Sequence, residues 1–200
     1  MAGLDKPLAV VGVAEKGYLD LELSVEMEAG HSSMPGQATS VGLLSQAVAR
    51  VEARQMPSRI VSPVREFFQQ VGPHLGPAKR LVFANTSLFA PLIKRVLLGS
   101  AETAAMIRTT TAPTMISGGV KPNVLAARAS AVVNFRLLPG DTAMDVVSHV
   151  TNVVGDSRVK IKVLSESPAS TVSPTDGPGF RLIGDCIRRH FPEAVVVPYL

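Results

Sequence analysis

Leu19-Asp20-Leu21-Glu22-Leu23-Ser24-Val25-Glu26-Met27-Glu28 is the stretch that decides the fold class. Apolar side chains take every odd position and polar ones every even position, the period-two pattern of a strand with one face buried and the other in water. The pattern returns over residues 131–138, with Ala131, Val133, Phe135 and Leu137 toward a core and Asn134 and Arg136 on the open face. It returns again over residues 158–163, where the polar set is basic: Arg158, Lys160 and Lys162. A fourth strand is expected around residues 111–117.

Two amphipathic helices separate these strands. The first is expected over residues 40–54, with Val41, Leu44, Val48 and Val51 at helical spacing. The second carries its own boundaries: Thr142 as N-cap with Asp145 three residues on, a stripe of Val146, Val147, Val150 and Val153, and Gly155 as the stop. The resulting order, β-α-β-β-α-β, is that of a ferredoxin-like open-faced sandwich, so the fold class expected is α+β. In that topology the first and fourth strands are antiparallel neighbours. The acidic row and the basic row would then lie side by side.

The remaining segments do not belong to this count. Pro63, Pro73, Pro77 and Pro91 punctuate short helical runs at residues 64–71, 87–98 and 101–107, read as a helical insertion over about 63–108. Residues 165–178 are rich in Ser, Thr, Pro and Gly and read as a linker. The apolar run 8–13 and the helix-strand unit 179–197 look like pieces of a second, α/β domain. The expected division is therefore 1–15 and 166–200 as fragments of that domain, and 16–165 as the βαββαβ domain.

Composition removes several function classes. Hydrophobic residues make up 46% of the chain and charged residues 18%, yet no apolar stretch approaches a membrane span. The net charge of +4 raises nucleic acid as a partner, but Trp is absent, Tyr occurs twice, and the 20 Lys and Arg are scattered. The N-terminus shows no signal-peptide pattern, and the lone Cys186 excludes an internal disulfide; together they favour a reducing, cytoplasmic setting. Cys186 itself reads as a small buried hydrophobe on a helix.

Few constellations could carry chemistry. The four histidines, His31, His74, His149 and His190, lie at least 41 positions apart, with no His-x-Asp, His-Glu-x-x-His or Cys pair, so no metal site is expected on this chain. Ser32 and Ser33 beside His31 do not make a nucleophile and base, since neighbours in an extended turn point apart. His31 sits in the turn Gly30-His31-Ser32-Ser33-Met34-Pro35, between the acidic-faced strand and the first helix, where a side chain is either idle in solvent or projected from the sheet. Arg136 lies mid-strand on the open face and needs an anionic partner. That partner is either the acidic strand, through Asp20, Glu22 or Glu26, or a substrate carboxylate gripped by two bonds.

Four motifs in order, Val13-Ala14-Glu15-Lys16-Gly17, Gly30-His31-Ser32-Ser33-Met34-Pro35, Gly119-Val120-Lys121-Pro122-Asn123-Val124-Leu125 and Phe135-Arg136-Leu137-Leu138-Pro139-Gly140, resemble the dinuclear-zinc aminoacylase and carboxypeptidase family of metallopeptidases. The long insertion ending at Arg108-Thr109-Thr110-Thr111 resembles the branch of carboxypeptidase S and the N-fatty-acyl-amino-acid hydrolases. The resemblance implies a ferredoxin-like lid through which two copies dimerise, set into a catalytic domain with two zinc ions. It implies that His31 crosses the dimer to stabilise the oxyanion in the partner's site. It implies that Asn123 and Arg136 bind the substrate carboxylate, and that Gly118 and Gly119 let backbone approach the substrate. Ala126 departs from the proline the family usually carries after Asn-Val-Leu.

By the same resemblance the zinc ligands fall outside this region, so zinc is expected in the full-length enzyme and none on this chain. The expected function is the lid and dimerisation portion of a zinc-dependent hydrolase, working as a homodimer on peptides or N-acyl amino acids with a free carboxylate, without nucleic acid or a membrane span. The competing expectation is a freestanding ferredoxin-like binding or dimerisation module without catalysis.

Overall fold

The computed structural model describes residues 4–200. The chain begins with β1 (Leu8–Gly12), β2 (Gly17–Glu26), a two-residue β3 (Gly30–His31) and α1 (Ser40–Ala53). Four helices follow: α2 (Ser62–Val71), α3 (Pro77–Ala84), α4 (Ala90–Leu97) and α5 (Ala101–Ile107). Next come β4 (Thr110–Gly118), β5 (Val124–Leu125), β6 (Arg128–Leu137), α6 (Ala143–Val154) and β7 (Val159–Ser167). The chain closes with α7 (Pro178–His190) and β8 (Val195–Tyr199). It divides into two compact units, one of residues 17–57 and 109–168, the other of residues up to 16, 58–108 and 169–200.

The first unit is built on the acidic-faced strand. β2 pairs antiparallel with β6 along all ten of its residues, from Gly17 opposite Leu137 to Glu26 opposite Arg128. Its other edge pairs antiparallel with β7, with a bulge between Asp20 and Leu21. β4 completes the sheet on the far side of β6, giving the order β4-β6-β2-β7. Element order and sheet order are consistent with the ferredoxin-like arrangement. The odd-numbered side chains Leu19, Leu21, Leu23 and Val25 are fully buried and share one core with Ala131, Val133 and Phe135 of β6. Leu44, Ala47 and Val51 of α1 and Val146, Val150 and Val154 of α6 cover that same face.

Local chemistry sets the helix ends. The Thr39 hydroxyl accepts from the Gly42 N–H at 3.0 Å, opening α1. Thr142 and Asp145 form a reciprocal capping box at the start of α6, and Gly155, at φ 58°, ends it in the left-handed conformation. The acidic and basic rows meet as the sequence implies, with Lys160 Nζ 2.7 Å from Glu26 Oε2.

The second unit has its own core. β1 and β8 pair in parallel, and α2 lies on β8, so that Val64, Phe67, Phe68 and Val71 are buried with Val195 and Val197. The helices expected as an insertion within residues 16–165 thus share a core with the terminal strands, because α2's apolar stripe finds its cover there. Lys16 Nζ donates to the carbonyls of Ala105 and Arg108 at 2.7 and 2.9 Å, satisfying acceptors at the end of α5. α3 is a helix that the sequence pattern does not signal; no residue of it is buried.

Two expectations are corrected. Residues 165–178 are not a free linker: Ser165 and Ser167 belong to β7, and the Ser170 and Ser173 N–H groups donate to the Glu15 and Val13 carbonyls at 2.9 and 2.8 Å. Backbone pairing takes up what Ser and Pro content suggests is loose. Cys186 is exposed, because the face of α7 bearing it and its apolar neighbours Leu182 and Ile183 is uncovered among the described residues. None of the described helices is long and apolar enough to cross a membrane.

These contacts set a hierarchy of stability. Leu21→Ala, at a fully buried position under both helices, should lower the unfolding free energy by about 2–5 kcal/mol. Thr142→Ala, which removes one cap, should cost about 1 kcal/mol. Urea unfolding of the two variants measures both; equal losses would contradict the placement of the core.

Candidate functional site

The site is assembled at one end of the four-stranded sheet. Where β2 ends, the Met27 N–H donates to the Ala127 carbonyl at 2.9 Å. The chain then forms a small ladder in which Gly30 lies opposite Leu125 and His31 opposite Val124. One residue on, the Ser32 N–H donates to the Asn123 carbonyl at 3.0 Å, and the Met34 N–H turns back to the His31 carbonyl at 3.1 Å. His31 and Asn123, 92 positions apart in sequence, are thereby held on one ribbon, both exposed to solvent.

The His31 ring is oriented by its neighbour. The Ser33 N–H points at Nδ1 at 3.2 Å and the Ser33 hydroxyl lies 2.8 Å from the same atom. A backbone N–H can only donate, so Nδ1 is the accepting nitrogen and the neutral ring carries its proton on Nε2. The expectation that the serines point away from His31 is thus corrected for Ser33: the turn closing at Met34 folds its hydroxyl back onto the ring. The arrangement presents an outward N–H donor, not an activated nucleophile, since no acid backs the ring on its other side among the described residues.

The flanking residues each have a structural reason. Gly118 lies opposite Ala129, and a Cβ there would come within 3.0 Å of the Ala129 Cβ and 3.2 Å of Val41, so helix and strand can close only on a glycine. Gly119, at φ 76°, needs glycine for its backbone alone and faces open space. Ala126, where the resembling family carries proline, is held by its carbonyl, which accepts from the buried Ser40 hydroxyl at 2.7 Å. Ser40 and Ser33 are the positioning residues that sequence reasoning missed. Ser40 could have been suspected from its place at the start of α1, but nothing in the sequence pairs it with Ala126.

Arg136 is not part of this cluster. It pairs with Tyr18 and Thr110, at the end of the sheet where the chain enters the unit at Gly17 and Thr109. It lies eight residue steps along β6 from Arg128 at the ribbon end, about 26 Å at 3.3 Å per residue. Its side chain is exposed and makes no ion pair within 4.0 Å among the described residues. The acidic strand is occupied elsewhere. Glu22 pairs with Arg128 at 3.1 Å and Glu26 with Lys160, while Asp20 accepts from Asn134 Nδ2 and Ser165 Oγ, each at 2.7 Å. Those two hydrogen bonds, and after them the charge of Arg136, hold the Asp20 carboxyl below the ordinary carboxylate range.

No group of three or more His, Cys, Asp or Glu among the described residues is placed to hold a metal ion. His149 and His190 are engaged with the carbonyls of Arg54 and Cys186 at 2.8 and 3.0 Å.

Residues 13–161 match the M20 peptidase dimerisation domain. The chain is 42% identical over 198 residues to a probable carboxypeptidase S-like protein of Dictyostelium discoideum, covering 98% of this chain and 38% of that one. It is 39% identical to an N-fatty-acyl-amino acid synthase/hydrolase of Mus musculus, covering 98% and 40%. It spans about two-fifths of the length of these relatives. Among solved structures, the fold is similar to an M20 family metallo-carboxypeptidase of Sulfolobus solfataricus, with a TM-score of 0.58 at 16% identity, covering 99% of this chain and 55% of that one. It is equally similar to the dipeptidase Dug1p of Saccharomyces cerevisiae, with a TM-score of 0.58 at 12% identity and coverage of 98% and 45%.

Asp20 gives a titration test. Its pKa is lowered from 3.8 in the folded chain, so its ionised form contributes stability in full above pH 3.8, and that contribution is lost as pH falls through the depressed value. Carbon-13 NMR of the carboxyl should place its midpoint below 3.8, and Asn134→Ala should move it upward; a midpoint at or above 3.8 in the parent chain would refute the bonding described.

Proposed function

Because the chain belongs to the M20 peptidase dimerisation-domain family, we propose that it is the lid and dimerisation part of a metal-dependent hydrolase that cuts the amide bond of peptides or N-acyl amino acids beside a free carboxylate. Relatives named as carboxypeptidase S-like proteins and as N-fatty-acyl-amino acid hydrolases support that substrate class. The metal, zinc in this reading, supplies a Lewis acid and an activated water when bound. The described residues do not fit it as ligands, so its donors are assigned to other parts of the polypeptide.

The observation that carries the reading is the His31 ring, fixed through Nδ1 with Nε2 turned outward. A neutral imidazole N–H so placed donates to the oxygen of a scissile amide as negative charge develops there, and does so without reorganising. Asn123, on the same ribbon, orients the substrate. Gly119 leaves backbone open for close approach. The ribbon lies at the end of the sheet away from Gly17 and Thr109, which suits delivery to the active site of a second copy in a homodimer.

Arg136 takes the substrate carboxylate with its planar guanidinium. At about 26 Å along the strand from the ribbon end, it cannot meet the same small substrate as His31 of its own chain. We therefore assign the two ends of one sheet to two different active sites: Arg136 to the site of its own subunit, and His31 with Asn123 to the partner's.

In the complete polypeptide, His31→Ala should lower kcat by about 10²–10³-fold, the scale of losing one oxyanion donor, with metal content and dimerisation unchanged. An unchanged kcat would remove the role. The division between subunits is tested by complementation. Reassociating His31→Ala with Arg136→Ala subunits should restore one intact site in each heterodimer. If activity stays at the level of the separate variants, both residues act on the same site and the division fails.

A further inference from the structure

We propose that the outer face of α4, with the turn that joins it to α3, docks on the surface of an anionic lipid bilayer. The site rests on these two helices alone and not on the hydrolase reading above.

Helix α4 is apolar on two sides. Ile93 and Leu97 face inward and are buried in the core of the second unit. Leu88, Leu92 and Val96, at four-residue spacing, form a ridge on the outside, and each is between 51% and 74% exposed. Leu92 and Val96 share an open apolar mouth with Val82 and Phe83 of α3, so the ridge is part of a contiguous patch. A helix that is hydrophobic on both sides is ordinarily covered on both. Nothing among the described residues covers this one.

The charges beside the ridge name the cover. No Asp or Glu lies between Glu66 and Glu102. Arg80, Lys94 and Arg95 make no ion pair within 4.0 Å among the described residues; Lys79 has a partner of its own and is not counted. Glu102, the next acid along the chain, is turned onto the Ser100 hydroxyl and its own backbone N–H at the start of α5. Cations beside an aliphatic ridge fit the interface of a bilayer with anionic head groups, where the ridge enters the head-group and acyl boundary and the cations stay at its surface.

The tip can also lose water cheaply. Asn85 Nδ2 donates to the Leu81 carbonyl at 2.9 Å, the Asn85 N–H donates to the Val82 carbonyl at 3.2 Å, and the Phe89 N–H donates to the Asn85 carbonyl at 3.1 Å. Pro77 and Pro91 sit in the first turns of α3 and α4, where an N–H would otherwise need a partner. The directional groups that a folded protein partner would engage are used within the turn, whereas a bilayer asks for none.

Co-sedimentation of the chain with lipid vesicles tests the proposal. Binding is expected to vesicles of equal parts phosphatidylcholine and phosphatidylglycerol, to weaken steeply with added salt, and to be on the order of 100-fold weaker on phosphatidylcholine alone, about fivefold for each of three cations. The combined change Arg80→Ala, Lys94→Ala, Arg95→Ala should bring the mixed vesicles down to the phosphatidylcholine level. Leu88→Asp with Val96→Asp, both at exposed positions, should weaken binding to either vesicle at least about tenfold. Met144→Ser, which removes an exposed apolar side chain of α6, should change nothing. Absence of sedimentation, equal affinity for the two vesicles, or undiminished affinity in the triple variant would overturn the proposal. So would binding that needs the cations but ignores Leu88 and Val96, which would mark a simple ion-exchange surface. Self-association of the lipid-free chain that Leu88→Asp with Val96→Asp abolishes, seen by sedimentation velocity, would give the face to a second copy instead and overturn it as well.

Discussion

The pairing of β2 with β6 is the constraint on which the rest of the sheet unit depends. Ten residues of each strand are in register without a break. A slip of one residue would turn Leu19, Leu21, Leu23 and Val25 toward water and the acidic set toward α1 and α6. Burying four aliphatic side chains on one strand is worth several kcal/mol, about 1.5–3 per residue, so the register is fixed far more firmly than any polar contact on the open face could fix it. With it come the ends: Tyr18 beside Arg136, and Glu26 beside Arg128.

From that fixed end the ribbon follows at small cost. Once Glu26 and Arg128 are paired, the segments leaving them, toward His31 and back toward Asn123, run side by side. A two-residue ladder and a few flanking bonds then suffice to order them. Each such bond contributes about 0.5–1.5 kcal/mol net, while ordering a residue costs about 1–2 kcal/mol of backbone entropy. The ribbon could not hold itself together in isolation. It is ordered because the sheet has already brought its two roots together, and the Ser40 hydroxyl pins the return strand to the first turn of α1.

Much of this was legible in sequence for a physical reason. Alternation at Leu19 to Val25 and the Thr142, Asp145 and Gly155 signals are local, and local patterns report strands, caps and stops directly. The opposed charges of Glu26 and Lys160 reported a non-local pairing because topology and electrostatics pointed the same way. What could not be read depended on where separate segments meet. Ser33 folding back on His31 is a property of a turn's closure, and Ser40 reaching Ala126 joins residues 86 positions apart. The sharing of a core between α2 and β8 follows from burial of Phe67 and Phe68 against Val195 and Val197, and the amphipathic pattern of a helix does not name its partner. Likewise, the family resemblance groups Asn123 with Arg136 without saying where they lie, and only the extended β6 strand between them shows that they stand at opposite ends of the sheet.

That separation has a structural consequence under the dimeric reading. A sheet that carries a donor at one end and a cation at the other cannot close both on a ligand of a few ångströms, however its side chains rotate. Two-fold symmetry resolves the conflict, since an isologous pair places the far end of each sheet on its partner's side while the near end stays with its own chain. Each site is then complete only when two copies are associated, and the oxyanion donor arrives on an element whose position is set by the interface and not by the strand that carries Arg136. Association of subunits and assembly of the site become one equilibrium, so the apparent stability of the assembled site would depend on protomer concentration as well as on the fold of each chain.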